Sequence, residues 1–260
     1  HLTNENALDC RTDDCSTRDT RQQGRSGRKR GRLGASVSLD PKRDSCSNAG
    51  QDDDATPRAP NRPARSGHPV MYATYIFPRL MDWLLRGERF QTERRQLLAS
   101  AQGVVLEIGF GTGLNLPHYP PTVTALHTVE PATLLPDRVA RRVANAPFPV
   151  HVRQQSAEIL PYAGGLFDCA VSTFTLCTIP DPCAALREVR RVLKPEGRFL
   201  FLEHGRSDDP SIARWQDRLN PLQRVVACGC NLNRRIDRLV VQAGLRLEHL
   251  DRYALPGVPR

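Results

Sequence analysis

Gly103-Val-Val-Leu-Glu-Ile-Gly-Phe-Gly-Thr-Gly-Leu-Asn-Leu-Pro117 is the stretch whose reading decides the fold. Val104 to Ile108 is a β-branched, apolar run of the kind that forms a buried strand, and it carries one acid, Glu107, near its end. Glycines at 109, 111 and 113 follow at once. Glycine tolerates positive φ and lets a ligand approach the backbone closely, so a strand running into such a turn predicts a nucleotide-type site. The spacing then separates ligand classes. A dinucleotide fingerprint, G-x-G-x-x-G, needs its third glycine at position 114, which is Leu114.

With the acid two residues ahead of the first glycine, the run reads E-x-G-x-G-x-G and resembles the pattern of the class I S-adenosylmethionine-dependent methyltransferases. That resemblance implies an α/β fold, a Rossmann-like, doubly wound and mostly parallel sheet with helices on both faces. It implies S-adenosylmethionine as cofactor, with Glu107 holding the methionine amino group directly or through water. Gly109, Phe110, Gly111 and Gly113 then give the close approach.

Working outward, the prolines at 117, 120 and 121 predict a short or irregular first crossover over Asn115 to Tyr119. Val123 to Val129 reads as the second strand and ends in Glu130, followed by Pro131. Glu130 lies 23 positions after Glu107 (130 − 107), the separation one strand-helix-strand unit needs to return beside the glycine loop. A carboxylate there accepts hydrogen bonds from both ribose hydroxyls, as it does in dinucleotide enzymes too. Pro149 to Arg153 is a further strand. Ser156-Ala-Glu-Ile-Leu-Pro-Tyr162 is similar to the family segment that borders adenine, with Ser156 where Asp is usual; the resemblance leaves backbone at Ala157 as the main contact.

Phe167 to Thr173 is a central strand by its apolar content, and Thr173 to Ile179 continues over the place where the resemblance puts the methyl group. Asp181-Pro182 predicts a helix start, an Asp cap before a proline in the first turn. Ala185, Leu186, Val189, Val192 and Leu193 repeat at helical spacing, Lys194-Pro-Glu-Gly197 reads as the stop, and Arg198 to Glu203 as the next strand. The string from Leu186 to Leu200 is close to the L-x-E-x-x-R-V-L-K-P-G-G-x-L block of the superfamily, with Glu196 and Phe199 as departures. A nicotinamide oxidoreductase has no reason to carry that block.

The tail narrows the branch. Phe201-Leu-Glu-His-Gly205, Trp215 to Pro221, Gly229 to Arg234 and Gln242-Ala-Gly244 resemble the methyltransferase-like thiol methyltransferases and their bacterial homologues, and more distantly the quinone C-methyltransferases and phosphatidylethanolamine N-methyltransferases. The implied acceptor is a small molecule or lipid-like compound, a thiol among the candidates. His204, just past a strand at the carboxyl edge where α/β ligands bind, is a candidate catalytic base for that acceptor. Cys228 and Cys230 have no His near them in sequence, which falls short of a zinc set, so no metal site is expected. After the strand Leu245 to Leu250 the chain reaches its last residues without the final antiparallel strand of the family fold, which predicts unpaired sheet edges.

The first 70 residues contain no Phe, Trp or Tyr and include a basic run from Arg21 to Arg32. Such a segment cannot bury enough apolar surface to offset its ordering entropy, so 1–70 is expected to be a disordered basic leader, with the native protein starting at Met71. Residues 71–100 are expected to form a helical cap and 101–260 the methyltransferase domain. The net charge is +9, but after residue 71 the basic side chains are scattered arginines and no aromatics interleave the basic run, so no specific nucleic-acid binding is predicted. Tyr72, Tyr75, Phe77, Trp83 and Leu84 make 71–85 the most aromatic stretch, suited to a substrate lid or a peripheral membrane contact. No secretory signal or spanning segment is present in the sequence given, and the default location is cytoplasmic. Two other classes stay open at this point, a nicotinamide oxidoreductase and a non-catalytic RNA-associated protein.

Overall fold

The computed structural model describes residues 71–252 and the strand Ala35–Leu39. The other residues of the expected leader lie outside the described part of the chain.

The strands are β1 (Ala35–Leu39), β2 (Gly103–Ile108), β3 (Val123–Val129), β4 (Val150–Arg153), β5 (Phe167–Thr173), β6 (Leu193–Leu202) and β7 (Leu245–Leu250). They form one seven-stranded sheet in the order β4-β3-β2-β5-β6-β1-β7. The pairs β4/β3, β3/β2, β2/β5 and β5/β6 are parallel. The order reverses at β2, and the glycine loop leaves that strand, so the loop lies at the crevice where α/β sheets bind ligands.

Alternation along the strands sorts side chains into two cores. Leu106, Ile108, Ala170, Phe199 and Phe201 face α4 (Pro182–Val192) and α6 (Ile236–Gln242), through Leu186, Val189, Ile236 and Val240. Val105, Val171, Leu200 and Leu202 lie on the opposite side, with Leu97 and Leu98 of α2 (Glu88–Leu98) and the flank of α3 (Pro136–Ala144). Burial on both faces is what parallel sheets require. The Asp181 cap is realised, its side chain accepting from Ala184 N at 2.9 Å.

The crossover after the glycine loop is short, as its prolines predict, a single 3-10 turn, Leu116–His118. Two local expectations are corrected. The strand expected from Arg198 begins at Leu193, directly after α4, because Leu193 pairs with Phe167 across an irregularity in the β5/β6 ladder. Lys194 to Gly197 is therefore part of that strand, not a free turn.

The second correction concerns the sheet edges. No strand follows β7 among the described residues, but the place between β6 and β7 is filled by β1, antiparallel to both. The β6 and β7 edges on either side of this place are thus paired through β1.

The cap begins with a π-type turn, Tyr72–Ile76, and continues into α1 (Phe77–Leu85). The cap is tied to α5 (Pro210–Val226) by the Tyr72 hydroxyl, which donates to Val226 O at 2.8 Å. No helix among the described residues is long and apolar enough to cross a membrane.

Candidate functional site

The glycine loop closes back on β3. Gly109 N donates to Val129 O at 2.9 Å, with Gly109 at φ +71°. A Cβ there would lie 2.0 Å from Thr175 Oγ1, so the loop after β5 presses directly against this glycine. Gly111, at φ +56°, is different: the nearest atom to an added Cβ is Gly109 O at 4.0 Å. Space therefore opens over the Gly111 backbone, while Phe110 and Gly113 pack inward beside Leu116.

Glu130, just past the end of β3, lies beside that space. Its Oε2 accepts from Gly111 N at 3.0 Å and its Oε1 from Ala132 N at 3.4 Å. Burial pushes its pKa up and the two backbone bonds only partly offset this. Its own backbone is tied to the chain leaving β4, through Gln155 N to Glu130 O at 3.2 Å. Ser156 makes a local turn, accepting from Glu158 N at 3.2 Å, and Ala157 is buried in the core cluster. Pro131 is exposed beside them. Gly111, Glu130, Pro131, Ser156 and Ala157 thus meet at one edge of the sheet, and a cradle with a carboxylate rim suits a ribose and adenine.

Glu107 and Thr173 are placed otherwise. Glu107 is 1% exposed, and both its oxygens are taken, one by the Tyr119 hydroxyl at 2.7 Å and the other by Asn115 Nδ2 at 2.9 Å. Burial raises its pKa to about 7, against the pull of those two donors and of the Arg94 charge. Thr173 Oγ1 accepts from Arg94 at 3.0 Å and from Asn115 at 3.1 Å. Arg94 is itself buried, which pulls its pKa down to about 10, and it donates to Asn115 Oδ1 at 2.6 Å. Glu107, Asn115, Tyr119, Thr173 and Arg94 are thus one hydrogen-bonded network next to the glycine loop.

Sequence reasoning missed Arg94, Asn115 and Tyr119 because an arginine on a charged helix and polar residues in a turn read as solvated. It also missed Asp82. This α1 carboxylate is buried, accepts from Thr112 Oγ1 at 2.6 Å and from Arg138 and Arg142 of α3 at 2.5 and 2.8 Å, and pairs with Arg86 at 3.3 Å. Burial would raise its pKa, but the bonds from Arg142 and Thr112 hold it below the usual range. Asp82 therefore clasps the cap onto the glycine loop and α3 together.

His204 sits just past β6 with its Nε2 3.0 Å from Cys230 Sγ. Burial pulls its pKa down, yet the Cys230 sulfur and the Glu203 carboxylate leave it raised. Cys230 is thus partnered by a histidine distant in sequence, which the reading of Cys228 and Cys230 alone did not see.

Against known proteins, residues 106–201 match the family model described as a methyltransferase domain. The chain is 28% identical over 182 residues to the human thiol S-methyltransferase TMT1A, covering 64% of this chain and 74% of that protein. It is 30% identical over 177 residues to human TMT1B, covering 61% of this chain and 70% of that protein. Among solved structures, the YcgJ protein of Bacillus subtilis aligns with a TM-score of 0.50 at 24% identity, over 58% of this chain and 64% of that one. A SAM-dependent methyltransferase from Leishmania major aligns with a TM-score of 0.51 at 16% identity, over 69% and 72%. The structural likenesses establish the fold, and the sequence relatives go further. A glycine cradle rimmed by Glu130, on this sheet and in a chain with these relatives, places the protein in a family: it belongs to the class I S-adenosylmethionine-dependent methyltransferases.

Proposed function

We propose that the chain moves the methyl group of S-adenosylmethionine onto the sulfur of a small, lipophilic thiol. The observation that carries the donor half is the open cradle over Gly111 with the Glu130 carboxylate at its rim. The acceptor half is supported by the similarity to two proteins named thiol S-methyltransferases.

When bound, S-adenosylmethionine supplies a methyl group already activated by the positive sulfonium. The side chains then have to bind, orient and exclude water, since positioning alone is worth several orders of magnitude in rate. In this reading Glu130 accepts from the ribose hydroxyls, Gly111 leaves room for the cofactor at the backbone, and the Ser156–Ala157 backbone borders the base. The Glu107 and Arg94 network keeps the loop in shape, and Asp82 keeps the cap closed over it.

A lipophilic acceptor suits the apolar surface around the site. Tyr75, Ile76, Leu80, Trp83 and Leu84 of the cap are exposed, as are Leu219, Leu222, Val225 and Val226 of α5. The same surface supports a peripheral contact with a membrane, in which such an acceptor would be dissolved. The test is incubation with methyl-labelled donor and a panel of an alkyl thiol, a quinone precursor, phosphatidylethanolamine and RNA. Label on the thiol alone is the expected result; label on any other member and none on the thiol contradicts the reading.

A further inference from the structure

Three side chains outside the cofactor cradle converge where two loops and a strand end meet. Cys177 comes from the loop after β5, His204 from the end of β6 and Cys230 from just past α5. Cys230 Sγ lies 3.7 Å from Cys177 Sγ and 3.0 Å from His204 Nε2, and the three ligand atoms all fall within 4.8 Å of one another. We propose that Cys177, His204 and Cys230 bind one thiophilic divalent cation, zinc, and leave its fourth position open to a thiolate. The cation site stands on this geometry alone; the identity of the fourth ligand rests on the thiol reading above.

The spacing fits the metal. Tetrahedral zinc with Zn–S bonds of about 2.3 Å sets its sulfurs about 3.8 Å apart, close to the 3.7 Å found. The same distance is far beyond the roughly 2.05 Å of a disulfide. The His204 ring has to withdraw by about half an ångström to reach the sulfur-to-nitrogen separation of such a site. Two thiolates and an imidazole are soft and borderline donors, which favour zinc over magnesium or calcium. Three protein ligands are the count of zinc sites that keep a position for substrate.

The two sulfur-bearing loops are laced to each other. Asn231 donates to Cys177 O twice, from its backbone N at 2.9 Å and from Nδ2 at 3.0 Å. Arg234 donates to Leu176 O at 2.5 Å and to Ile179 O at 2.6 Å. Phe174 and Cys228, near the sulfur ligands in sequence, sit at φ +54° and +48°, a region that non-glycine residues occupy only when their surroundings hold them there. Glu203, next to His204, fixes the Cys177 loop by accepting from Thr175 N and Leu176 N at 2.8 and 2.9 Å; its buried Oε2 has no hydrogen-bond partner among the described residues. A buried carboxylate beside the ligands favours a cation and orients the ligands that hold it.

The Cys177 loop also reaches the cradle, since Thr175 Oγ1 lies 3.4 Å from Gly109 O. A cation held by Cys177, His204 and Cys230 would lower the pKa of a thiol at the fourth position, which would give its proton to solvent and react as thiolate. Its sulfur lone pair forms the new bond to the methyl carbon, and the carbon–sulfonium bond breaks with its pair left on the donor sulfur.

The test is a titration of the reduced, metal-stripped full chain with zinc against a chromophoric chelator, repeated with cobalt(II) to read thiolate-to-metal charge transfer. The proposal predicts one equivalent per chain, and an affinity at least about 100-fold weaker in Cys230→Ser, His204→Gln and Cys177→Ser. Cys177 is buried, so circular dichroism checks that variant, and the other two decide if it does not fold. Binding well below one equivalent, binding unchanged in the variants, or a Cys177–Cys230 disulfide in protein kept reduced overturns the site. Adding an alkyl thiol to the cobalt form should intensify the charge-transfer band; an unchanged band overturns the open position. Calorimetry with S-adenosylhomocysteine on the same samples separates the two readings, because metal binding without nucleoside binding refutes only the methyl-transfer assignment.

Discussion

A methyl group added at Gly109 would lie 2.0 Å from Thr175 Oγ1, whereas at Gly111 the nearest atom stands 4.0 Å away. Alanine in the left-handed region costs about 1 kcal/mol at either position, and the collision adds about 1–3 kcal/mol at Gly109 alone. Gly109→Ala is therefore expected to lower Tm by several degrees. Gly111→Ala should leave Tm within a few degrees of wild type but weaken S-adenosylhomocysteine binding about tenfold or more by filling the cradle; thermal melts and calorimetry on both variants check this. Glu130→Ala removes an acceptor for two ribose hydroxyls, bonds worth about 1.5–3 kcal/mol each when one partner is charged. Its cofactor affinity should fall by at least about tenfold, and an unchanged affinity in a folded variant refutes the ribose assignment. Glu107 sets a pH dependence of stability. Its folded pKa of about 7 lies above the ordinary 4.5, so its contribution to stability is fully present below 4.5 and is lost as pH rises through 7. Melting the cofactor-free protein from pH 5 to pH 8 should show wild type losing stability relative to Glu107→Gln as pH rises; parallel curves contradict the assignment.

At the scale of elements, the Asp82 clasp joins α1 to the glycine loop and α3 through Thr112, Arg138 and Arg142. Arg138 is partly exposed, so removing the acid leaves it access to solvent, and the cost of Asp82→Ala is set nearer the unpaired hydrogen-bond penalty of about 1–3 kcal/mol than that of a fully buried pair. The variant should melt a few degrees lower and become cleavable within the cap under limited proteolysis; a cap as resistant as in wild type contradicts the clasp. The strands flanking the site were legible because their apolar, β-branched runs are local signals, and β3, β5 and β7 lie where the sequence puts them. The start of β6 was not legible. Lys194-Pro-Glu-Gly197 has turn composition, and only its pairing partner, Phe167 against Leu193, makes it strand. β1 was hidden for a similar reason. Ala35, Val37 and Leu39 alternate with Ser36 and Ser38, a pattern too short to stand out, and its partners lie in β6 and β7, far along the chain.

For the whole molecule, β1 joins β6 to β7 and closes the gap that the sequence led us to expect. Deleting residues 1–40 should expose two strand edges, lower Tm and produce concentration-dependent association by light scattering; a monodisperse, equally stable product contradicts the role of β1. The site was legible to the depth of its motif. The glycine spacing and the resemblance it carries marked Gly109, Gly111, Gly113 and Glu130 as candidates, because close backbone approach and a carboxylate at a strand end each demand a residue type at a fixed offset, and the fold sets Gly111 and Glu130 side by side. Arg94 and Asp82 escaped, since a buried charge is recognised only by its partners, and those come from other elements. The convergence of Cys177 with His204 and Cys230 escaped for the same reason: the sequence marks His204 as a candidate base and shows no histidine near Cys230, and only the fold brings the three together. The central claim, that this cradle binds S-adenosylmethionine and not a dinucleotide, is tested most directly by isothermal titration of the full chain with S-adenosylhomocysteine and, separately, with NAD. The account predicts saturable one-to-one binding of S-adenosylhomocysteine and no heat of binding from NAD; binding of NAD alone would contradict it.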